Sequence, residues 1–257
     1  MLLNRWLCLL LTCFLAGTAQ GERIDVAVAS NFMAPIKELS REFERDSGHN
    51  VRLSFGSSGK FYAQIRHGAP FLVFFSADQA KPQALESAGL TVPGSRFTYA
   101  IGTLVLWSAK PGFLTNGQER LASGEFNRLA LANPRLAPYG VAAIEVLESL
   151  KLTAATRPKW VQGENISQTY QFVSTGNADI GFVALSQLQA DSSFRDSNGL
   201  KASGSSWKVP QTLHRPIRQD AVLLKRGEYS PAARALLEFI RSEKAGAIIV
   251  RQGYLLP

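Results

Sequence analysis

The chain has 257 residues, 46% hydrophobic and 19% charged, with a formal net charge of +8 at pH 7. This length exceeds the usual single domain of about 100 to 150 residues, which favours two lobes. The basic residues are spread along the chain rather than massed in one block, so the charge fits either the attraction of anions or ordinary solubility, and it does not by itself indicate nucleic-acid binding.

Residues 1–21 are typical of an export signal. Arg5 precedes an apolar run at residues 6–16, and small, turn-forming residues follow it. This run is shorter than the roughly 18 residues that cross a bilayer, so we expect cleavage rather than a membrane anchor. Both cysteines, Cys8 and Cys13, lie in this segment. We therefore expect a mature chain without a thiol, a disulfide or a cysteine-bound metal.

Apolar runs and helical spacing alternate in the first part of the mature chain. The predicted strands are residues 24–29, 51–55 and 71–76. The predicted helices are residues 60–66, residues 80–87 and a first helix with apolar spacing over residues 36–43, which stops before Gly48. This alternation indicates a parallel sheet with helices on both faces. A longer apolar run at residues 97–106 is predicted to be a strand that crosses into a second lobe.

A second α/β series follows. The predicted strands are residues 129–132, 159–161, 180–184 and 220–224, and the predicted helices are residues 141–150, 165–174, 231–241 and 244–251. Residues 191–206, rich in Ser, Gly and Asp, are predicted to form a loop. The order fits a first lobe of residues 22–101 plus 221–257 and a second lobe of residues 102–220.

Small polar residues open a helix after a strand or turn at four places. These are Ser30-Asn31, Ser57-Ser58-Gly59, Tyr139-Gly140 and Asn165-Ile166-Ser167. Helix N-termini have free N–H groups and about half a positive charge, so they attract anions. Parallel α/β sheets gather such turns at one edge, where ligands bind. Taken singly, each is better explained as an ordinary N-cap.

Motifs for nucleotide binding and hydrolysis are missing from the sequence. Ser54 stands where a phosphate-binding loop needs its first Gly, and Phe61 stands where Ser or Thr must follow Lys60. No G-x-S-x-G motif occurs, and the three histidines are far apart in sequence. These absences count against a nucleotide-binding protein and against a hydrolase.

Several long blocks resemble the periplasmic molybdate-binding proteins of ABC transporters. They are VAVASNF (26–32), SFGSSGKFYAQIRHGAP (54–70), FFSAD (74–78), FTYAIGTLVLWS (97–108), ALANPRLAPYG (130–140), GENISQTYQFVSTGNADIGFVALSQL (163–188) and GYLLP (253–257). They follow the family's order over nearly the whole mature chain. The resemblance implies an α/β, two-lobed periplasmic-binding-protein-like fold of type II, with the ligand in a cleft between the lobes.

The resemblance also implies which residues hold the anion. They are Ser30, Asn31 and Ser58 from the first lobe, with Ser57 as a secondary candidate, and Tyr139 and the backbone of Ile166 from the second lobe. Two positions depart from the family's pattern: Leu72 replaces an Asp, and Ala184 replaces a Tyr found in some relatives. We expect Tyr139 to take the place of that second hydroxyl.

The resemblance implies a protein of the periplasm that carries molybdate or tungstate to the membrane permease of an ABC importer. It implies a monomer with no cofactor, no bare metal ion and no nucleic-acid partner. Within the same class, a binder of sulfate or phosphate remains an alternative. From other classes, an exported hydrolase and a domain that senses oxyanions remain open.

Overall fold

The computed structural model describes residues 21–190 and 204–257, in which two five-stranded sheets form. The first sheet contains β1 (Arg23–Ala29), β2 (Asn50–Gly56), β3 (Val73–Phe75), β4 (Phe97–Gly102) and β10 (Ile217–Leu223). The second contains β5 (Leu104–Ser108), β6 (Leu129–Ala132), β7 (Trp160–Gly163), β8 (Ile180–Ala184) and β9 (Ser205–Lys208). The predicted export signal, except Gly21, and residues 191–203 of the predicted loop lie outside the described residues.

Helices cover both faces of each sheet. They are α1 (Met33–Ser47), α2 (Ser58–Arg66), α3 (Ala80–Ser87), α4 (Gly117–Ser123), α5 (Pro138–Ser149), α6 (Thr153–Thr156), α7 (Ile166–Ser174), α8 (Leu185–Ala190), α9 (Pro231–Ile240) and α10 (Glu243–Arg251). Along β1, Val26 packs into an apolar cluster on one face and Ala27 into a cluster on the other. Because side chains alternate across a strand, a strand covered on both faces is apolar throughout.

The parallel arrangement predicted from the first three strands is confirmed for those strands, but both complete sheets are mixed. Strands β1, β2 and β3 run parallel, but β10 is antiparallel to β3 and β4. In the second sheet, β5 is antiparallel to β8 and β9. Strands β5 and β10 are each the first strand after the chain crosses from one sheet to the other. Each runs antiparallel to the other strands of its sheet. Hydrophobic periodicity identifies such strands but does not give their direction.

The chain passes between the sheets twice. The run at residues 97–106, predicted as one strand, is two strands in different sheets separated by Thr103. The return lies between β9 and β10, so the predicted boundary at residues 220 and 221 falls inside β10. The polar pair Arg218-Gln219 hid the start of this strand from the sequence pattern, although Gln219 is fully buried. We propose lobes of residues 22–102 plus 217–257 and of residues 104–208.

Chain ends and turns complete the lobes. Helix α1 stops at Gly48, whose φ of 73° is the left-handed conformation that glycine adopts readily. Leu255 pairs with Ile101 of β4, the edge strand of the first sheet, through N–O distances of 2.7 and 3.0 Å. Ser205 and Ser206, predicted as loop, belong to β9. No helix within residues 21–190 and 204–257 is long and apolar enough to cross a membrane.

Candidate anion-binding site

A small cavity lies between the two sheets, beyond the ends of β1, β2, β3, β6 and β7. Its lining contains all the residues that the sequence suggested for a site: Ser30, Asn31, Ser57, Ser58, Tyr139 and Ile166. Ala77 and Asn165 also line it. Strand-to-helix turns from both lobes therefore meet at one place, as the edge rule for α/β sheets predicts.

The first contribution comes from the short 3₁₀ turn Ser30–Phe32, which follows β1 and has no side-chain cap. The carboxamide of Asn31 donates to Gln219 Oε1 at 2.7 Å and to the Tyr254 hydroxyl at 3.0 Å. Both of its N–H bonds are therefore used inside the protein. The main-chain N–H groups of the turn remain available to a ligand. The Ser30 hydroxyl is also available, because it has no hydrogen-bond partner among the described residues.

The two serines at the start of α2 have different roles. Ser57 is the N-cap, and its hydroxyl oxygen accepts from the Lys60 main-chain N–H at 3.4 Å. The Ser58 oxygen accepts from the Ala77 N–H at 2.9 Å. Because this bond uses the oxygen of Ser58 as an acceptor, its hydroxyl proton remains available to donate into the cavity.

Helix α5 brings Tyr139 to the cavity from the second lobe. The helix begins at Pro138 without a side-chain cap, which leaves the main-chain N–H of Tyr139 as a free donor. The Tyr139 hydroxyl accepts from Gln219 Nε2 at 3.3 Å. Burial raises the pKa of this hydroxyl well above its usual value of 10, so it stays neutral. This hydroxyl lies against Gly102 and Gln219, neither of which lines the cavity, so its expected use in place of the one lost at Ala184 is less favoured than use of the N–H.

Helix α7 brings Ile166 to the opposite wall. Its N-cap, Asn165, accepts from the N–H groups of Ser167 and Gln168 at 3.0 and 3.1 Å, which leaves the N–H of Ile166 unused. Gln187 donates to the Ile166 carbonyl at 3.1 Å. The start of this helix is therefore held by side chains while one N–H remains free.

The two departures from the family's pattern lie in different surroundings. Ala184 is fully buried at the end of β8, and its N–H donates to Gln187 Oε1 at 3.0 Å. The same Gln187 side chain donates to the Ile166 carbonyl at the start of α7. Leu72 precedes β3 and donates its N–H to the Asp25 carbonyl at 2.8 Å, and it does not line the cavity. The change at Leu72 is therefore not a change of the site.

The cavity offers donors without ionised side chains. No Asp, Glu, Lys, Arg or His is among its lining residues in the part of the chain that the structure describes. Three helices of nine or more residues begin there, and each helix start carries a partial positive charge. In the same described ranges, no cluster of three or more His, Cys, Asp or Glu side chains is placed to hold a metal ion. The arrangement suits an anion whose oxygens accept hydrogen bonds.

The lobes touch each other beside the cavity. The Gly59 N–H donates to the Leu136 carbonyl across the cleft at 2.9 Å. Lys60 Nζ lies 3.2 Å from Glu164 Oε1 of the other lobe, and both side chains are about half exposed. A Cβ atom at Gly59 would lie 3.0 Å from Leu136 Cα, so a larger residue there would require Leu136 to shift by a few tenths of an ångström. The structure is therefore a closed form.

A buried polar network behind the cavity was missed by sequence reasoning. Tyr254 O–H and Ser186 O–H donate to the Asn31 carbonyl at 2.7 and 2.9 Å, and Tyr99 O–H donates to Gln219 Oε1 at 2.9 Å. Tyr254 lies in the C-terminal GYLLP block, which carried the resemblance without indicating a role. Ser186 and Gln219 gave no local signal, because their partners are distant in sequence.

Comparison with known proteins agrees with this geometry. A family model described as "Bacterial extracellular solute-binding protein" matches residues 24–255. The molybdate-binding proteins (ModA) of Azotobacter vinelandii and Rhodobacter capsulatus are 51% and 46% identical to the chain, over 93% and 94% of it and 92% and 91% of their own lengths.

A solved structure of the periplasmic molybdate-binding protein of Azotobacter vinelandii superposes with a TM-score of 0.85 at 41% identity, covering 91% of this chain and 99% of that one. This similarity confirms the predicted two-lobed, periplasmic-binding-protein-like fold. The predicted resemblance to molybdate-binding proteins is also confirmed. The chain belongs to the family of bacterial extracellular solute-binding proteins.

Proposed function

We propose that this protein is the solute-binding component of an ABC importer and that it captures molybdate or tungstate in the cavity between its lobes. The observation that carries the proposal is a small cavity between the lobes that is lined by hydroxyl and main-chain donors from both of them, with no ionised side chain among the described lining residues. The identity of 51% and 46% to two molybdate-binding proteins supports this choice of anion.

The proposed ligand contacts follow from the free donors. Ser30 and Ser58 supply hydroxyls, and the starts of the 3₁₀ turn, α5 and α7 supply main-chain N–H groups, including those of Asn31, Tyr139 and Ile166. A hydrogen bond to a charged group contributes about 1.5 to 3 kcal/mol net. Several such bonds together offset the free-energy cost of dehydrating a dianion. The site then needs no positively charged side chain, which would also bind other anions.

Binding and closure are coupled in this proposal. The anion contacts donors on both lobes in the closed form, whereas an open form would offer it one set at a time. A ligand shifts such an equilibrium only by its difference in affinity for the two states. The closed, loaded form is then the one that the membrane permease recognises. The cavity has no paired nucleophile and base among its lining residues, so we propose binding without catalysis.

The proposal extends to the location of the protein in the cell and to its partners. We propose that residues 1–21 direct export and are removed, and that the mature protein works in the periplasm as a monomer. The periplasmic location named for the relative from Azotobacter vinelandii supports this assignment. The proposed partners are the oxyanion and the permease.

Titration calorimetry of the purified mature protein with molybdate, tungstate, sulfate and phosphate tests the proposed function. We expect one molybdate or tungstate per chain and weaker binding of sulfate and phosphate. Sulfate binding as tight as molybdate binding would contradict the selectivity and favour a general oxyanion carrier. Absence of binding to all four anions would contradict the function.

A further inference from the structure

We propose that Ser186 and Tyr254 are positioning residues that set the affinity of the anion site by latching the second lobe onto Asn31. This inference rests on the proposed function, because it concerns the same cavity. Neither residue lines that cavity. Their effect on the anion is therefore indirect, through the turn that carries Ser30 and Asn31.

The latch is a three-residue contact at the back of the cleft. The Ser186 hydroxyl, on α8 of the second lobe, donates to the Asn31 carbonyl at 2.9 Å and lies 3.1 Å from the Tyr254 hydroxyl. The Tyr254 hydroxyl donates to the same carbonyl at 2.7 Å and accepts from the Asn31 carboxamide at 3.0 Å. Asn31 is thus held through both its carbonyl and its side chain.

The contact joins the two lobes at one of the proposed ligand-binding turns. Asn31 and Tyr254 belong to the first lobe, so their bond can persist when the cleft opens. Ser186 lies on α8, which follows β8 of the second lobe and also contacts α1 and the 3₁₀ turn of the first lobe, and in the proposed movement its bond to Asn31 forms on closure. The same movement that brings Ser186 to the Asn31 carbonyl brings α5 and α7 to the cavity. Closure and orientation of the turn are therefore linked in one contact.

The surroundings make this contact neutral and dry. Asn31, Ser186 and Tyr254 are each no more than 3% exposed. Burial raises the pKa of Tyr254 to about 12, so its hydroxyl keeps its proton. A buried bond between uncharged groups is not weakened by salt, in contrast to the exposed pair of Lys60 and Glu164.

The decisive experiment compares Ser186→Ala with Ser108→Ala as a matched control. Ser108 is also a fully buried serine of the second lobe, and its hydroxyl donates to a main-chain carbonyl, that of Asp179, at 2.6 Å. Both partners of the control bond lie in one lobe, whereas the Ser186 bond crosses between lobes. The two variants therefore lose similar chemistry at positions that differ in their relation to closure.

For Ser186→Ala we expect molybdate affinity to fall about 3- to 10-fold, the loss of one net hydrogen bond. The loss should appear mainly as faster dissociation in stopped-flow measurements, and it should be the same at low and high salt. The melting temperature of the ligand-free variant should stay at the parent value. Ser108→Ala should show the reverse, with a lower melting temperature and parent affinity.

Tyr254→Phe extends the test to the other half of the latch. It removes a bond that exists within the first lobe as well, so we expect both a lower melting temperature and weaker molybdate binding. Ser186→Ala with parent affinity, or with the pattern of Ser108→Ala, would overturn the latch while leaving the proposed function intact. A parent protein that binds none of the tested oxyanions would overturn both.

Discussion

The two lobes contribute different kinds of groups to the proposed site. The first lobe brings the hydroxyls of Ser30 and Ser58 together with main-chain N–H groups. The second lobe brings main-chain N–H groups alone, because the side chains of Tyr139 and Ile166 pack in its apolar core. A change to a side chain that lines the cavity should therefore alter binding in the first lobe and stability in the second. This difference between the lobes is open to direct test.

The largest effect is expected for Ser58→Asp in the first lobe. A carboxylate there would place a negative charge beside the incoming dianion in a partly dehydrated cleft, so molybdate binding should become undetectable by calorimetry. The fold should survive, because an acidic residue is favourable in the first turn of a helix. Ser242→Asp is the control, since Ser242 caps α10 and does not line the cavity. Parent affinity in Ser58→Asp would remove Ser58 from the site.

Ser58→Ala should produce the next largest effect. Loss of one donor to a charged ligand predicts an affinity lower by about 10- to 150-fold in calorimetry. The ligand-free protein should also lose about 1 to 3 kcal/mol of stability, because the buried N–H of Ala77 loses its acceptor. Reduced stability with unchanged affinity would mean that Ser58 serves the fold alone.

Gly59→Ala tests the approach of the two lobes without touching a donor. The added methyl would meet Leu136 at 3.0 Å, so complete closure should cost about 1 kcal/mol or more and weaken molybdate binding about fivefold or more. The ligand-free melting temperature should be unchanged or higher, since Ala favours a helix more than Gly. Calorimetry that returns the parent affinity would show that the lobes bind the anion at a greater separation.

Ile166→Ala is the counterpart in the second lobe. Ile166 is 3% exposed and packs in the second lobe's core, so truncation should cost about 2 to 5 kcal/mol of stability in denaturant unfolding. Because its proposed donor is the main-chain N–H, molybdate affinity should stay within about twofold of the parent. A large loss of affinity in a well-folded variant would contradict the assignment of main-chain binding to this lobe.

No effect of pH on affinity is expected between about pH 6 and 8, because the lining has no group that titrates there. Stability should behave differently in alkali. The pKa of Tyr254 is raised to about 12 by burial, whereas an unfolded tyrosine titrates near 10. The unfolded state therefore releases its proton first, and stability should fall as pH rises from about 10 to 12. Melting curves over this range, with Tyr254→Phe for comparison, measure the loss.

Local signals predicted much of the structure. The strands β6 and β8 and the helix α3 have the predicted bounds, and α1 ends before Gly48 as its glycine signal indicates. The six predicted site residues line one cavity because N-cap chemistry and the edge of an α/β sheet are both readable along the chain. The same rule could have predicted Ala77 as a lining residue, because it follows β3 at that edge.

Long-range contacts explain what the sequence did not reveal. The bonds from the Asn31 carboxamide reach Gln219 and Tyr254, which are 188 and 223 residues away. Nothing local to Asn31 indicates that its side chain is already engaged, so the sequence did not reveal which group of Asn31 is free for the anion. Likewise, Gln219 appeared to interrupt a strand, whereas its amide is satisfied by partners from both lobes. The directions of β5 and β10 were hidden for the same reason.

The pairing of Leu255 with Ile101 has a consequence for how the protein behaves at high concentration. Strand β4 is the border of its sheet, and an uncovered border presents unpaired N–H and C=O groups to which strands of other molecules can add. In this protein, the C-terminal residues of the same chain pair with part of that edge strand, through Leu255 and Ile101. We therefore expect removal of the last residues to expose part of this edge to pairing with strands of other molecules.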